Sequence, residues 1–425
     1  MTATMTNTDI HGRKSRWRSW WKFAVVSLIF FQITAATFTS LGVALPFMIK
    51  EFSWSWSDAG IGFSLLAFMV GIAGRLPSWM LRKFGIRATY GIGGVTMALG
   101  LGLLATTADL RQYFVGAALA GLGFTLGAIV PGVAGINYWL PHRRSFAIGA
   151  YMTIGGLGGV AGPLLVTMIE AVFGSWRMHW WLMAASILFL ALLAVISLGS
   201  IPDHDAGGTA SAGHVEEKHS KRVYKTRSDW CFRNVLRTPQ YYVIVAAMTM
   251  VLFGGVTTSS WAVAHMGTLG IPIVTAAGAL SADAFVRAFS GVLGGALATR
   301  IDPKWLLVSA LVAETMGMIA LSSADNMTAI VLFSFGEGYG FGMCLFATTV
   351  LLNNYYGPKE APKTLGTMHL ITTVAMLGPV LGGIVADGFG NFAGLFRAYA
   401  LFLLVCLFAV AIMRPPSLPG QNEQA

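Results

Sequence analysis

The stretch ALSADAFVRAFSGVLGG, Ala279–Gly295, decides how the rest of the chain is read. It is apolar apart from Asp283 and Arg287, and it lies in a segment long enough to cross a bilayer. Charged side chains inside a transmembrane helix are costly, so they usually face an internal cavity and carry function. Residues four apart share one face of a helix, so Asp283 and Arg287 can pair. An arginine held by a protonatable carboxylate is what a carrier of organic anions needs. The cation takes the anion's carboxylate, and the acid couples that event to a proton. A static ion pair that locks two helices together is the alternative reading of the same two residues.

The composition agrees with a membrane chain. Of 425 residues, 55% are hydrophobic and only 11% charged, and the mean hydropathy is +0.67. Soluble proteins carry about 25% charged residues. The length fits one all-α bundle of about twelve spans. Cys231, Cys344 and Cys406 lie far apart and form no metal or disulfide spacing. No metal site and no cofactor are expected. The net charge of +10 is not a nucleic-acid signal, because the basic residues sit in loops that alternate with apolar spans.

Residues 1–22 are polar and basic, and read as an N-terminal tail. The apolar segment 23–49 is too long for the core of a secretory signal and no clear cleavage site follows it, so it reads as a retained first helix. Further spans are expected at 58–80, 88–108, 111–138, 146–172 and 178–200, which makes 23–200 a six-helix half. Residues 201–240 are polar and aperiodic, a linker. Its His204, His214 and His219 are potential metal ligands, against the simpler reading of a solvated segment. A second half, 241–413, holds spans near 241–268, 275–299, 304–323, 327–356, 364–388 and 393–413. Residues 414–425 form a tail. Of the 28 Lys and Arg, 22 fall in the tails, linker and loops of one side, and four (Lys50, Arg111, Arg177, Arg397) fall on the other. The positive-inside bias puts both termini in the cytoplasm. A multi-pass protein of the cell (inner) membrane, and a monomer, is expected.

An internal repeat supports the division. Gly74, Leu76, Lys83 and Arg87 correspond to Gly291, Leu293, Arg300 and Lys304 at an offset of 217. Gly121, Gly123, Phe124, Asn137, Tyr138, Pro141 and Gly149 correspond to Gly338, Gly340, Phe341, Asn354, Tyr355, Pro358 and Gly366 at the same offset. Six spans per repeat orient the two copies alike. Parallel halves around a central cavity are the plan of major facilitator carriers.

Several motifs resemble one branch of that superfamily, the monocarboxylate transporters. GRLPSWMLRKFGIRATYGIGGVTMALGL (Gly74–Leu101) is similar to their helix 2–3 region. NYWLPHRRSFAIGAY (Asn137–Tyr151) is similar to the start of their helix 5. SWRMHWW, from Ser175, resembles the element opening helix 6, and DAFVRAFSG (Asp283–Gly291) resembles the helix 8 motif. The resemblance covers most of both halves. It implies that Arg287 binds the substrate carboxylate and Asp283 is the proton-coupling acid, with a small organic carboxylate, protons and the lipid bilayer as partners. Related oxalate–formate exchangers use a second cation on helix 11, where this chain has His369, Thr372 and Thr373. Many animal members carry a helix 1 lysine, where this chain has QITAATFTSLG (Gln32–Gly42). One cavity cation suits one carboxylate, and points to a monocarboxylate larger than lactate, aromatic acids included.

Other polar residues complete the candidate set. Gln32, Thr34 and Thr37 in helix 1, Tyr151 in helix 5, and His369 and Thr372 in helix 11 are candidate lining residues. Glu337 in helix 10 is either a second proton site or a carboxyl bonded to a neighbouring helix. Glu314 is expected at the periphery, by analogy with helices 3, 6, 9 and 12 of the family. His265 is read chiefly as a capping or packing residue. Arg82, Lys83, Arg87, Arg300 and Lys304 are candidate gating contacts or topology signals. No nucleotide-binding loop or nucleophile–base arrangement stands out, so an enzyme is not expected. The sequence reading is a proton symporter of an organic monocarboxylate working by alternating access. The alternatives are a proton-coupled exporter of drugs or metabolites and an organic anion exchanger.

Overall fold

The computed structural model describes residues 7–199, 223–226, 230–298, 300–357 and 359–417, with the side chains of residues 7–16 and of Ser145 outside the description. Most of the linker, with its three histidines, and the end of the tail also lie outside the described residues. Among the described residues there is no strand. Lipid offers no hydrogen bonds, and helices satisfy their own backbone.

The first helix, α1, starts at Asn7, well before the apolar run. Arg and Lys are good helix formers, so the polar segment propagates the helix instead of ending it. It runs Asn7–Ala35, breaks at Ala36 and Thr37, and resumes as Phe38–Phe52. The next apolar stretch, Trp56–Ala105, is 50 residues long. At about 1.5 Å per residue it would be roughly 75 Å, more than twice the hydrocarbon thickness. Gly85, at φ 77° and ψ 174°, reverses the chain there. That conformation suits a residue with no Cβ. The stretch is therefore two spans, α2 (residues 56–84) and α3 (residues 86–105). Then come α4 (Leu110–Trp139, broken at Ala128), α5 (Arg144–Phe173) and α6 (Arg177–Ser197).

The second half holds α7 (Pro239–Thr268), α8 (Ile273–Leu297), α9 (Pro303–Ser322) and α10 (Met327–Tyr356). It ends with α11 and α12 (Ala393–Ile412). α11 comprises Ala361–Thr372 and Gly378–Phe389 joined by a 3-10 turn. Phe189, Leu401, Phe408 and Ile412 face outward, as lipid-contacting side chains do.

The two halves pack alike. α3 lies against α4 and α6, as α9 lies against α10 and α12; α2 meets α4 as α8 meets α10. The repeat extends to single bonds. Arg87 donates to the Leu198 carbonyl at the end of α6, and Lys304 donates to the Met413 carbonyl at the end of α12 at 2.7 Å.

Among the described residues an even number of spans brings the start of α1 and the end of α12 to one side, here called proximal. Contacts between the halves gather toward the other, distal, side. Phe38–Phe52 of α1 packs on α7, α5 on α8, and Trp56–Ile72 of α2 on Gly378–Phe389 of α11. The proximal segments Ile129–Trp139 and Ala361–Thr372 pack chiefly within their own halves. The bundle is closed distally and parted proximally.

Candidate functional site

The site is built on α8 and α10. Asp283 and Arg287 lie one turn apart on α8, and Glu337 and Phe341 one turn apart on α10. Arg287 Nη2 donates to Asp283 Oδ2 at 2.9 Å and to both Glu337 oxygens at 2.7 Å. Its guanidinium carbon sits 4.1 Å from the centre of the Phe341 ring, a cation–π contact. Glu337 also accepts from Thr258 Oγ1 of α7 at 3.3 Å. Asp283 and Glu337 are buried, whereas the Arg287 side chain keeps 23% exposure. The cation is thus the member of the triad that solvent, and a solute, can reach. Asp283 Oδ1 and Arg287 Nε have no hydrogen-bond partner among the described residues.

The glycines around Glu337 explain how it reaches α8. In FGEGYGFG the glycines 336, 338, 340 and 342 alternate between two neighbours. A Cβ on Gly338 would stand 2.5 Å from the Asp283 carbonyl oxygen, and one on Gly342 would stand 2.5 Å from that of Arg287. A Cβ on Gly336 would stand 2.5 Å from the Ala313 carbonyl oxygen, and one on Gly340 would stand 2.7 Å from Glu314 Cβ. Two small-xxx-small stripes therefore seat α10 between α8 and α9, with little between the backbones. Glu337 and Phe341 lie between the stripes and meet the guanidinium.

Comparison with known proteins identifies the family. The family model of the Major Facilitator Superfamily matches residues 26–295 and 260–425. The chain belongs to the Major Facilitator Superfamily. Among curated proteins, Monocarboxylate transporter 4 of Rattus norvegicus is 23% identical over 354 residues, 80% of this chain and 71% of that one. Monocarboxylate transporter 13 of Bos taurus is 25% identical over 402 residues, 90% and 87% of the two chains. Monocarboxylate transporter 11 of Mus musculus is 25% identical over 418 residues, 94% and 88%. Among solved structures, a bacterial homolog of the human lysosomal transporter Spinster, inward-facing and unoccupied, has a TM-score of 0.73 at 15% identity, covering 93% of this chain and 97% of that one. The nucleoside transporter NupG has a TM-score of 0.70 at 15% identity, covering 92% and 98%. The twelve-helix fold of two parallel halves is that of the superfamily, and the chain is a multi-pass transporter and not an enzyme.

Within this facilitator fold, the structure brings together only part of the candidate set. Thr34 approaches the α5–α8 seam, its methyl 3.8 Å from where a Cβ on Gly159 would stand and the Ala284 Cβ 3.5 Å from the same point. Thr37 is buried at the break in α1, and its hydroxyl donates to the Ile33 carbonyl at 2.9 Å. Gln32 turns away from the site and donates to Ser186 Oγ of α6 at 2.5 Å. Tyr151 is fully buried, stacked on Phe30, and donates to the Ala128 carbonyl at 2.7 Å. Both are committed to packing within their own half. His369 is exposed on the proximal part of α11, and Thr372 is buried with its hydroxyl on the His369 carbonyl at 3.0 Å.

The basic residues form no contact between the halves among the described residues. Arg87 and Lys304 cap helix ends, as above, where cations offset the C-terminal partial charge. Lys83 lies over the rings of Trp79 and Phe84, and Arg82 and Arg300 are exposed. Arg87→Met and Lys304→Met are each expected to cost about 1 kcal/mol of stability and to leave the substrate KM unchanged. Thermal unfolding and transport kinetics on the same preparations check this. A KM change without a stability loss would favour the gating role.

Two further residues are placed by the structure. His265 is buried, and its Nε2 lies 2.9 Å from the Leu321 carbonyl oxygen, a packing role. Glu314 differs from expectation. It is fully buried where α9 meets α10 and α12, and its Oε1 lies 3.3 Å from the Tyr399 hydroxyl. Position in an outer helix does not make a side chain peripheral when that helix turns the residue inward. The Gly340 that accommodates it was the available signal.

Proposed function

We propose that this protein is a proton-coupled symporter of an organic monocarboxylate, moving it by alternating access across the cell membrane with both termini in the cytoplasm. The observation that carries this reading is one guanidinium shared by two buried carboxylates. A buried charge is tolerated when it is balanced. Arg287 balances one carboxylate, so a neutral empty site holds one proton on the Asp283–Glu337 dyad. An incoming carboxylate competes for the same guanidinium. The displaced acid then takes a second proton, and the loaded site is neutral again. One proton enters with each anion, and the dyad titrates as a unit.

Among the described residues no second Lys or Arg contacts the dyad, which favours a single carboxylate over two. The Phe341 ring beside Arg287 offers an apolar face to the body of the substrate. Curated relatives bearing the name monocarboxylate transporter support the same class.

The test is uptake into proteoliposomes under an imposed inward proton gradient. The panel is lactate, pyruvate, a benzoate-type acid and a dicarboxylate. Gradient-driven accumulation of a monocarboxylate class, rising as the pH on the loading side falls, is expected. Accumulation of the dicarboxylate alone would overturn the single-carboxylate reading. No uptake of any acid would favour an exporter.

A further inference from the structure

The distal closure is made at one point by a carboxylate from one half seated on a helix start of the other. Ser55 caps α2 and accepts the Asp58 N–H at 3.0 Å. The next two first-turn donors are taken across the interface. Trp56 N–H donates to Asp387 Oδ1 at 2.8 Å, Ser57 N–H to Asp387 Oδ2 at 2.9 Å, and Ser57 Oγ to the same oxygen at 2.6 Å. A helix start presents unsatisfied N–H groups and a partial positive charge, and Asp387 supplies the matching anion.

The surrounding contacts are too close to be incidental. A Cβ on Gly383 would stand 2.6 Å from Ser57 N, and one on Gly60 would stand 2.5 Å from the Pro379 carbonyl oxygen. Trp261 of α7 donates to that same carbonyl at 2.8 Å. The Trp56 ring packs edge-on against Trp261 and Phe392 of the second half. Beneath this contact the seam is aromatic, with Trp261 and Phe392 buried, whereas Asp387 is exposed to solvent.

We infer that Asp387 is the distal gate residue: its carboxylate on the α2 helix start holds the distal side shut, and releasing it is the step that opens that side. The chemistry suits a reversible contact. When the halves part, the N–H groups and the carboxylate pass into water and leave no buried charge unpaired. The triad around Arg287 lacks that freedom, because both of its carboxylates are buried. The gate and the binding site are thus separate devices, and this inference stands whichever anion is carried.

The test is hydrogen–deuterium exchange of the full chain in lipid nanodiscs, comparing the parent with Asp387→Asn. A hydrogen bond to a charged group contributes enough to shift a two-state equilibrium about tenfold. Exchange is expected to rise about that much across residues 56–66 and 378–389. It is expected to fall at the proximal segments 129–139 and 361–372, as the bundle rocks to the opposite state. Asp387→Glu, which keeps the carboxylate, is expected to return the pattern toward the parent. Ser57→Ala, which removes one of three donors, gives a smaller shift in the same direction and covers the case in which Asp387→Asn does not fold. A rise confined to the first turn of α2, with the proximal segments unchanged, would reduce Asp387 to a local cap and overturn the inference. So would an unchanged exchange pattern in Asp387→Asn.

Discussion

Arg287→Ala is expected to lower gradient-driven uptake by about two to four orders of magnitude. The physical reason is visible in the site: one nitrogen of this side chain serves both Asp283 and Glu337. Removing it leaves two buried carboxylates without a partner, and breaking a buried ion pair costs about 3–5 kcal/mol. At 1.36 kcal/mol per tenfold in rate, that is the loss stated. A second variant separates binding from folding. Arg287→Ala combined with Asp283→Asn and Glu337→Gln carries no charge at the site. It is expected to regain parental thermal stability while remaining inactive. Recovery of uptake in that neutral triple variant would make the helix 8 pair a structural lock and remove the anion-binding role. Arg287→Lys keeps the charge but not the planar fork. Its KM is expected to rise about tenfold with the fold intact.

Neutralising both acids is expected to uncouple transport altogether. With Asp283→Asn and Glu337→Gln together, the empty site carries the single charge of Arg287 and needs no proton to accept an anion. Accumulation against a gradient is expected to vanish, while exchange of labelled for unlabelled anion across the same vesicles persists. Each single substitution leaves one carboxylate opposite one guanidinium, so each is expected to retain coupled uptake at a reduced rate. The measurement is uptake and counterflow on the same proteoliposomes, with and without the proton gradient. Loss of coupling in one single variant alone would assign the proton to that acid. Retained accumulation in the double variant would show that the proton binds elsewhere.

The sequence by itself determined the membrane class, the near-twelvefold span pattern, the two-copy repeat and the pairing of Asp283 with Arg287. All of these are local or composition-level properties. Span length follows from hydrocarbon thickness, and an i,i+4 pair follows from helix geometry alone. Only the tertiary structure decided which helix faces meet. Glu337 lies 50 residues from Arg287, and its contact depends on glycine stripes that let α8 and α10 approach. Gln32 and Tyr151 face neighbours in their own half and not the triad. Glu314 is buried between outer and inner helices, and Asp387 reaches a helix start 331 residues away. In water, an apolar stripe would have pointed each helix toward its core. In a bilayer the lipid-facing side is as apolar as the packed side, so hydropathy does not report helix rotation. That information resides in close backbone approaches between residues far apart in the chain.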